Sequence, residues 1–219
     1  MSVLSRNLAA EFVGTALLLA TVVGSGIMGE RLSGGNAGVA LLANALATGG
    51  ALYALISAMG RISGAHFNPV VTLAEAWLGK LPWRHVGPYV LIQIVAALAG
   101  VVAAHWMFDL PAFFASQHAR SGPSQMFSEV VATFGLITVI LNCARWKPEA
   151  IPAAVGAYIM AAYWFTASTS FANPAVTLAR SLTDTFSGIR PADAPAFIAA
   201  QFIGAAMAAG LHRWMVACG

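Results

Sequence analysis

The chain has 219 residues, of which 59% belong to the set Ala, Val, Ile, Leu, Met, Phe, Trp, Tyr and Cys and only 9% are charged, against about 25% charged in an ordinary soluble domain. Eleven Lys and Arg set against eight Asp and Glu leave a charge of +3, too little on too much hydrocarbon for a nucleic-acid footprint. At roughly 20 apolar residues per crossing, this length holds about six membrane spans and no separate soluble catalytic domain, so residues 1–219 read as one membrane domain.

In chain order, the first apolar stretch runs from Leu8 to Met28. It is too long for a signal-peptide core and ends in no small-residue cleavage site, so it is expected to persist as a helix. Ala37 to Met59 is the second span, followed by Asn68-Pro69 and a short helix-like piece, Val70 to Leu78. Asn is a favoured N-cap and Pro a favoured first helical residue, so a helix starts there, but one too short to cross. Trp83 to Trp106, Phe127 to Asn142 and Ile151 to Thr166 are the next three spans. A second Asn-Pro, Asn173-Pro174, opens another short piece, Ala175 to Leu182, and Ala194 to Ala217 is the last span. The expected fold is all-α, with six transmembrane helices and two re-entrant half-helices. With the N-terminus inside, the inner segments hold Arg6, Arg61, Lys80, Arg84, Arg145, Lys147 and Arg213, and the outer ones Arg31, Arg120, Arg180 and Arg190. The excess of positive charge inside predicts a multi-pass cell-membrane protein with both termini cytoplasmic. Cys143 and Cys218 have neither CxxC nor metal-ligand spacing and are read as apolar filler.

The chain contains itself twice. Glu11 and Thr15 recur as Glu129 and Thr133, Asn68-Pro69-Val70 as Asn173-Pro174-Ala175, and Gln93 as Gln201, in the same order. The repeats cover about residues 1–106 and 124–219. Three spans per half make the second half insert upside down, and in inverted repeats the broken helices meet near the bilayer midplane and mark the permeation site. The half-helix N-termini then face each other, with the Asn68 and Asn173 amides between them. The approach segments Gly64, Ala65, His66, Phe67 and Thr169, Ser170, Phe171, Ala172 cannot face lipid with free carbonyls, so they line a wet path. A narrow lumen of this kind suits small uncharged solutes with hydrogen-bonding groups. Glu11 and Glu129, matched in both repeats, are expected to accept N–H bonds from these segments, and Gln93 and Gln201 to bridge helices. The Gly and Ala runs Ala96 to Gly100 and Gly204 to Gly210 read as close-packing helix faces.

These motifs resemble those of the aquaporin and aquaglyceroporin (major intrinsic protein) family. The likeness is carried by Ala10-Glu11-Phe12-Val13-Gly14-Thr15, Ser63-Gly64-Ala65-His66-Phe67-Asn68-Pro69-Val70-Val71-Thr72 and Phe171-Ala172-Asn173-Pro174-Ala175. The resemblance implies a right-handed bundle with one pore per subunit, assembled as a homotetramer in the lipid bilayer. It implies passive passage of water and small neutral solutes, with no cofactor, metal, catalytic residue or nucleic acid. Val70 stands where the family usually has Ala. More consequentially, Val176 stands where the family ordinarily has Arg. Counting along the family's spacing puts Thr48, Ala161 and Ser170 beside Val176 as the selectivity filter, four small uncharged positions that imply a wide, weakly polar constriction. Arg180, one turn beyond Val176, reads foremost as a loop-facing side chain and otherwise as a charge in the outer vestibule. His66 reads as a pore-lining donor or acceptor rather than a pH gate.

A bacterial branch associated with arsenic resistance looks similar around Ser168-Thr169-Ser170-Phe171-Ala172-Asn173-Pro174-Ala175-Val176, which extends the expected solutes from glycerol and urea to neutral metalloid acids such as arsenous acid. The alternative is an ion-coupled secondary transporter, which also uses inverted repeats but needs a free midplane carboxylate. Glu75, on the first half-helix, is the carboxylate to follow. A scaffold with a closed pore would read alike in sequence, whereas an intramembrane enzyme lacks a nucleophile-base pair.

Overall fold

The computed structural model describes residues 2–217; Cys218 lies outside the described residues. Among the described residues eight α-helices are formed: α1 (Val3–Leu32), α2 (Ala37–Ser63), α3 (Pro69–Trp77), α4 (Trp83–Met107), α5 (Pro123–Trp146), α6 (Ile151–Phe165), α7 (Pro174–Arg180) and α8 (Ala194–Ala217). Six are the expected spans and α3 and α7 are the two expected half-helices. The spans extend a few residues past their purely apolar cores because local caps are available. The Ser2 side chain accepts from Ser5 N at 3.1 Å to start α1, and Asn36 accepts from Gly38 N and Val39 N to start α2. Gly64, at φ 91°, ends α2 in the left-handed region, where a side chain would be strained.

Five helices are long and apolar enough to cross a bilayer. The 15 residues of α6 rise only about 22 Å, against roughly 30 Å of hydrocarbon. A short 3-10 turn, Pro148–Ala150, precedes it and the re-entrant segment follows, so that crossing is completed by irregular backbone.

The two halves pack alike. α1 lies against α2 and α4, α5 lies against α8 and α6, and α2 meets α6 across the repeats. The closest approaches use glycine. A methyl group at Gly100 on α4 would collide with the Ala16 carbonyl oxygen of α1, and one at Gly204 on α8 with the Val130 carbonyl oxygen of α5, whereas Gly210 has open space around it. Backbone atoms cannot step aside as side-chain ends can. Gly100→Ala or Gly204→Ala is therefore expected to lower the melting temperature in detergent by roughly 5 °C, with Gly210→Ala as the unperturbed control.

The helix-free stretch between α4 and α5 is an ordered cover. Phe114 N and Ser116 N donate to the carbonyls of Leu182 and Ser181, and Arg190 N donates to that of His118. It thereby ties itself to the segment between α7 and α8 over one mouth of the bundle.

Candidate functional site

The half-helices are built identically and meet at their N-termini. Asn68 Oδ1 accepts from Val70 N at 3.0 Å, and Asn173 Oδ1 from Ala175 N at 3.0 Å. Each Asn then donates across the pseudo-twofold: Asn68 Nδ2 to the Ala172 carbonyl at 2.7 Å, and Asn173 Nδ2 to the Phe67 carbonyl at 2.8 Å. One N–H of each amide is thus consumed in locking the two repeats together. The second is left for whatever occupies the space between them.

Behind each Asn stands a buried relay. Glu11 accepts from Ser63 Oγ and His66 N on one oxygen and from Phe67 N and Gln93 Nε2 on the other, at 2.6 to 2.9 Å. Glu129 accepts from Phe171 N and Ala172 N, both at 2.9 Å, and from Gln201 Nε2 at 2.6 Å. Gln93 Nε2 also donates to Thr72 Oγ1, and Gln201 Nε2 to Thr177 Oγ1. Those hydroxyls in turn donate to the Asn68 and Asn173 carbonyls. Thr72 and Thr177, four residues after each Asn, completed a set whose Glu, Asn and Gln members were already legible from repetition.

The carboxyl groups hold a strained backbone. Ala65, Phe67, Ser170 and Ala172 have φ near +50° and Thr169 has +59°, a region that costs a residue with a Cβ about 1–2 kcal/mol. The matched positions of the strain in both segments argue that it serves the site. The carbonyls of Gly64, Ala65, His66, Thr169, Ser170 and Phe171 accept no protein hydrogen bond among the described residues.

A continuous cavity of about 140 Å³ runs past both Asn residues. Gly64, Ala65, His66 and Phe67 line it, as do Ser170 and Phe171. Thr169 and Ala172, expected to line the path through their backbone, are not among the residues bounding this cavity: the Thr169 hydroxyl accepts from Arg120, and the Ala172 carbonyl accepts from Asn68 Nδ2. Thr48, Ser170 and Val176 line the cavity as expected. Ala161 does not, because it is exposed on the outer face of α6. The inward stripe of α6 is Ile151, Val155, Ile159 and Tyr163, four apart. Tyr163 takes the expected place of Ala161, its hydroxyl 3.3 Å from Thr48 Oγ1. At this level the cavity therefore has an aromatic wall and a hydroxyl pair. Ser170 Oγ is a third hydroxyl close by, buried and without a protein partner among the described residues.

Arg180 follows the second of its two expected readings, a charge beside the path, and not the loop-facing one. It is 2% exposed and lines the cavity. Its Nε donates to the Ser187 carbonyl, and its guanidinium lies over the Phe171 ring, 3.4 Å from the centroid. Its terminal nitrogens bond to no protein acceptor among the described residues. A loop-facing Arg is thus replaced by a cation fixed in the wall, one helical turn beyond Val176. The loop after α7 turns back over it, which is why the distance from the motif alone was misleading.

Arg120 was not anticipated. It is 9% exposed, lies 5.1 Å from the centroid of the same Phe171 ring, and donates to the Gly188 and Ser168 carbonyls. Its own backbone N–H donates to Asp193, which is paired with Arg190 at 2.9 Å. Burial, reinforced by Arg120 and Arg180, holds the nearby His118 imidazole below the usual histidine range. Two buried guanidinium groups, those of Arg120 and Arg180, thus flank the Phe171 ring.

A family profile described as "Major intrinsic protein" matches residues 1–151. Over 213 residues the chain is 54% identical to "Aquaglyceroporin AqpS" of Rhizobium meliloti, covering 97% of this chain and 91% of that protein. It is 34% identical to "Aquaporin NIP1-4" of Oryza sativa over 93% of this chain and 74% of that protein. The fold matches the aquaglyceroporin from Plasmodium falciparum at a TM-score of 0.74, with 21% identity and 95% coverage of each chain.

Proposed function

This chain belongs to the major intrinsic protein family, a family of membrane channels and not enzymes, and we propose that it conducts water together with glycerol-sized and somewhat larger neutral solutes. One observation carries the reading: at the constriction a small apolar side chain, Val176, shares the wall with the hydroxyls of Thr48, Tyr163 and Ser170, while the nearest guanidinium is withdrawn one turn to Arg180. Hydroxyls that donate and accept suit polyols, urea and neutral metalloid acids such as arsenous acid. A Val in place of a long cation leaves them room.

The ion-coupled alternative needs a free carboxylate at mid-depth. Glu11 and Glu129 are fully engaged with backbone and Gln donors, which argues against that use. Residues of both repeats line the cavity, which supports one pore within each subunit; assembly as a homotetramer is what membership of the family implies. The lysine and arginine distribution supports cytoplasmic termini in the cell membrane.

The test is stopped-flow light scattering on proteoliposomes. The protein is expected to accelerate both water and glycerol movement over empty vesicles. Tyr163→Ala, which removes the aromatic wall and the bond to Thr48, is expected to raise the flux of four-carbon polyols several-fold relative to glycerol. Unchanged size discrimination would remove Tyr163 from the constriction.

A further inference from the structure

Glu75 stands seven residues after Asn68, and Arg180 seven residues after Asn173. The pseudo-twofold axis that exchanges the half-helices therefore exchanges these two positions. Both line the same cavity. A rise of seven helical residues puts each about 10 Å from its capping Asn, on opposite sides of the meeting point. Three residues after each Asn the two walls are identical, Val71 and Val176. Further out they are opposite in charge.

Helix energetics explains one of these residues and not the other. Arg180 in the last turn of α7 complements the negative end of that helix. Glu75 in the last turn of α3 opposes it, and α3 carries no basic residue there. Its side chain is only 14% exposed. A charge set against its own helix and largely withdrawn from solvent breaks a local rule, and one half-exposed lysine is its only ion-pair partner among the described residues, which points to a use elsewhere. Its salt-bridge partner is Lys80, at 3.4 Å. The chain turns back after α3, with Lys80 N donating to the Glu75 carbonyl at 2.9 Å, so the ammonium reaches the carboxylate from the solvent side. The Lys80 side chain is 42% exposed, and water and counter-ions screen it more than they screen the carboxylate at the cavity wall.

We infer that Glu75 is the charge-selecting residue of the inner half of the pore, the counterpart of Arg180 in the outer half. Arg180 raises the barrier to cations and Glu75 raises the barrier to anions, so that any ion meets one repulsive charge on the way through. A neutral solute meets none. Charge rejection is in this way divided between the two ends of the lumen, while the Val176 constriction stays free to admit larger neutral molecules. The inference rests on the reading of the cavity as the conducting path.

The test uses the full chain in proteoliposomes, with uptake of radiolabelled chloride and rubidium measured beside water permeability. Glu75→Gln is expected to shift the chloride-to-rubidium ratio toward chloride by about tenfold, and Arg180→Gln to shift it toward rubidium by a similar factor. Lys80→Gln, on the exposed side of the pair, is expected to move the ratio a few-fold toward rubidium by leaving the carboxylate uncompensated. It also decides the matter should Glu75→Gln fail to fold. An unchanged ratio in Glu75→Gln, or a move toward rubidium, would overturn the role of Glu75. A wild type that accelerates neither water nor glycerol would instead overturn the conducting path, and this division of charge with it.

Discussion

Glu129→Ala is expected to destabilise the protein by about 3–5 kcal/mol, a large part of the roughly 5–15 kcal/mol that holds most folds. The residue is fully buried and takes three donors: Phe171 N, Ala172 N and Gln201 Nε2. Alanine leaves both backbone N–H groups without an acceptor and Gln201 Nε2 with Thr177 alone, in a segment whose backbone is already strained at Ser170 and Ala172. Water cannot substitute freely, because the Glu129 site is closed to solvent. The loss should appear as a fall in detergent melting temperature of roughly 10 °C or more, with poor recovery of folded protein at expression temperature. Glu129→Gln should lose less, since one carbonyl oxygen still accepts while the new amide group meets donors. A melting temperature unchanged in Glu129→Ala would show that the segment is held by something other than the carboxyl group.

Val176→Arg should have the largest effect on transport. The side chain enters a cavity of about 140 Å³, one turn from the fixed cation of Arg180. It adds length and five donors where the wild type offers hydrocarbon. Glycerol flux is expected to fall by about tenfold or more, with water flux falling less. Val176→Leu separates size from charge, because it fills space without a cation. The double change Val176→Arg with Arg180→Val moves the single cation inward by one turn, and should retain water flux while glycerol stays excluded. Undiminished glycerol flux in Val176→Arg would mean that the constriction lies elsewhere.

The parts of this account that were legible in the sequence depend on local chemistry. A side chain that accepts from the N–H two residues on, followed by Pro, starts a helix whatever surrounds it, so Asn68 and Asn173 announced themselves. Repetition then identified their supports, Glu11 with Glu129 and Gln93 with Gln201. What failed depends on rotation and on long-range contact. In the sixth helix nearly every residue is apolar, so periodicity marks no inward face, and counting by a family's spacing selected Ala161 instead of Tyr163. One signal was available: a tyrosine hydroxyl within an apolar run needs a hydrogen-bond partner, and Thr48 supplies it. For Arg180 the sequence leaves two readings open, for a different reason. Its burial is produced by the segment after its helix and by the cover that carries Arg120, neither of which has a repeating pattern to read. Glu75 was noticed as a carboxylate at membrane depth, but only the pseudo-twofold placement beside the same cavity as Arg180 shows what it is matched with.

The central claim, a lumen whose constriction admits neutral solutes beyond water, is tested most directly by imposing an inward glycerol gradient on proteoliposomes and following vesicle volume. Rapid shrinkage is expected as water leaves, followed by re-swelling faster than in protein-free vesicles as glycerol enters. Rapid shrinkage with re-swelling no faster than in empty vesicles would contradict it and would describe a pore for water alone.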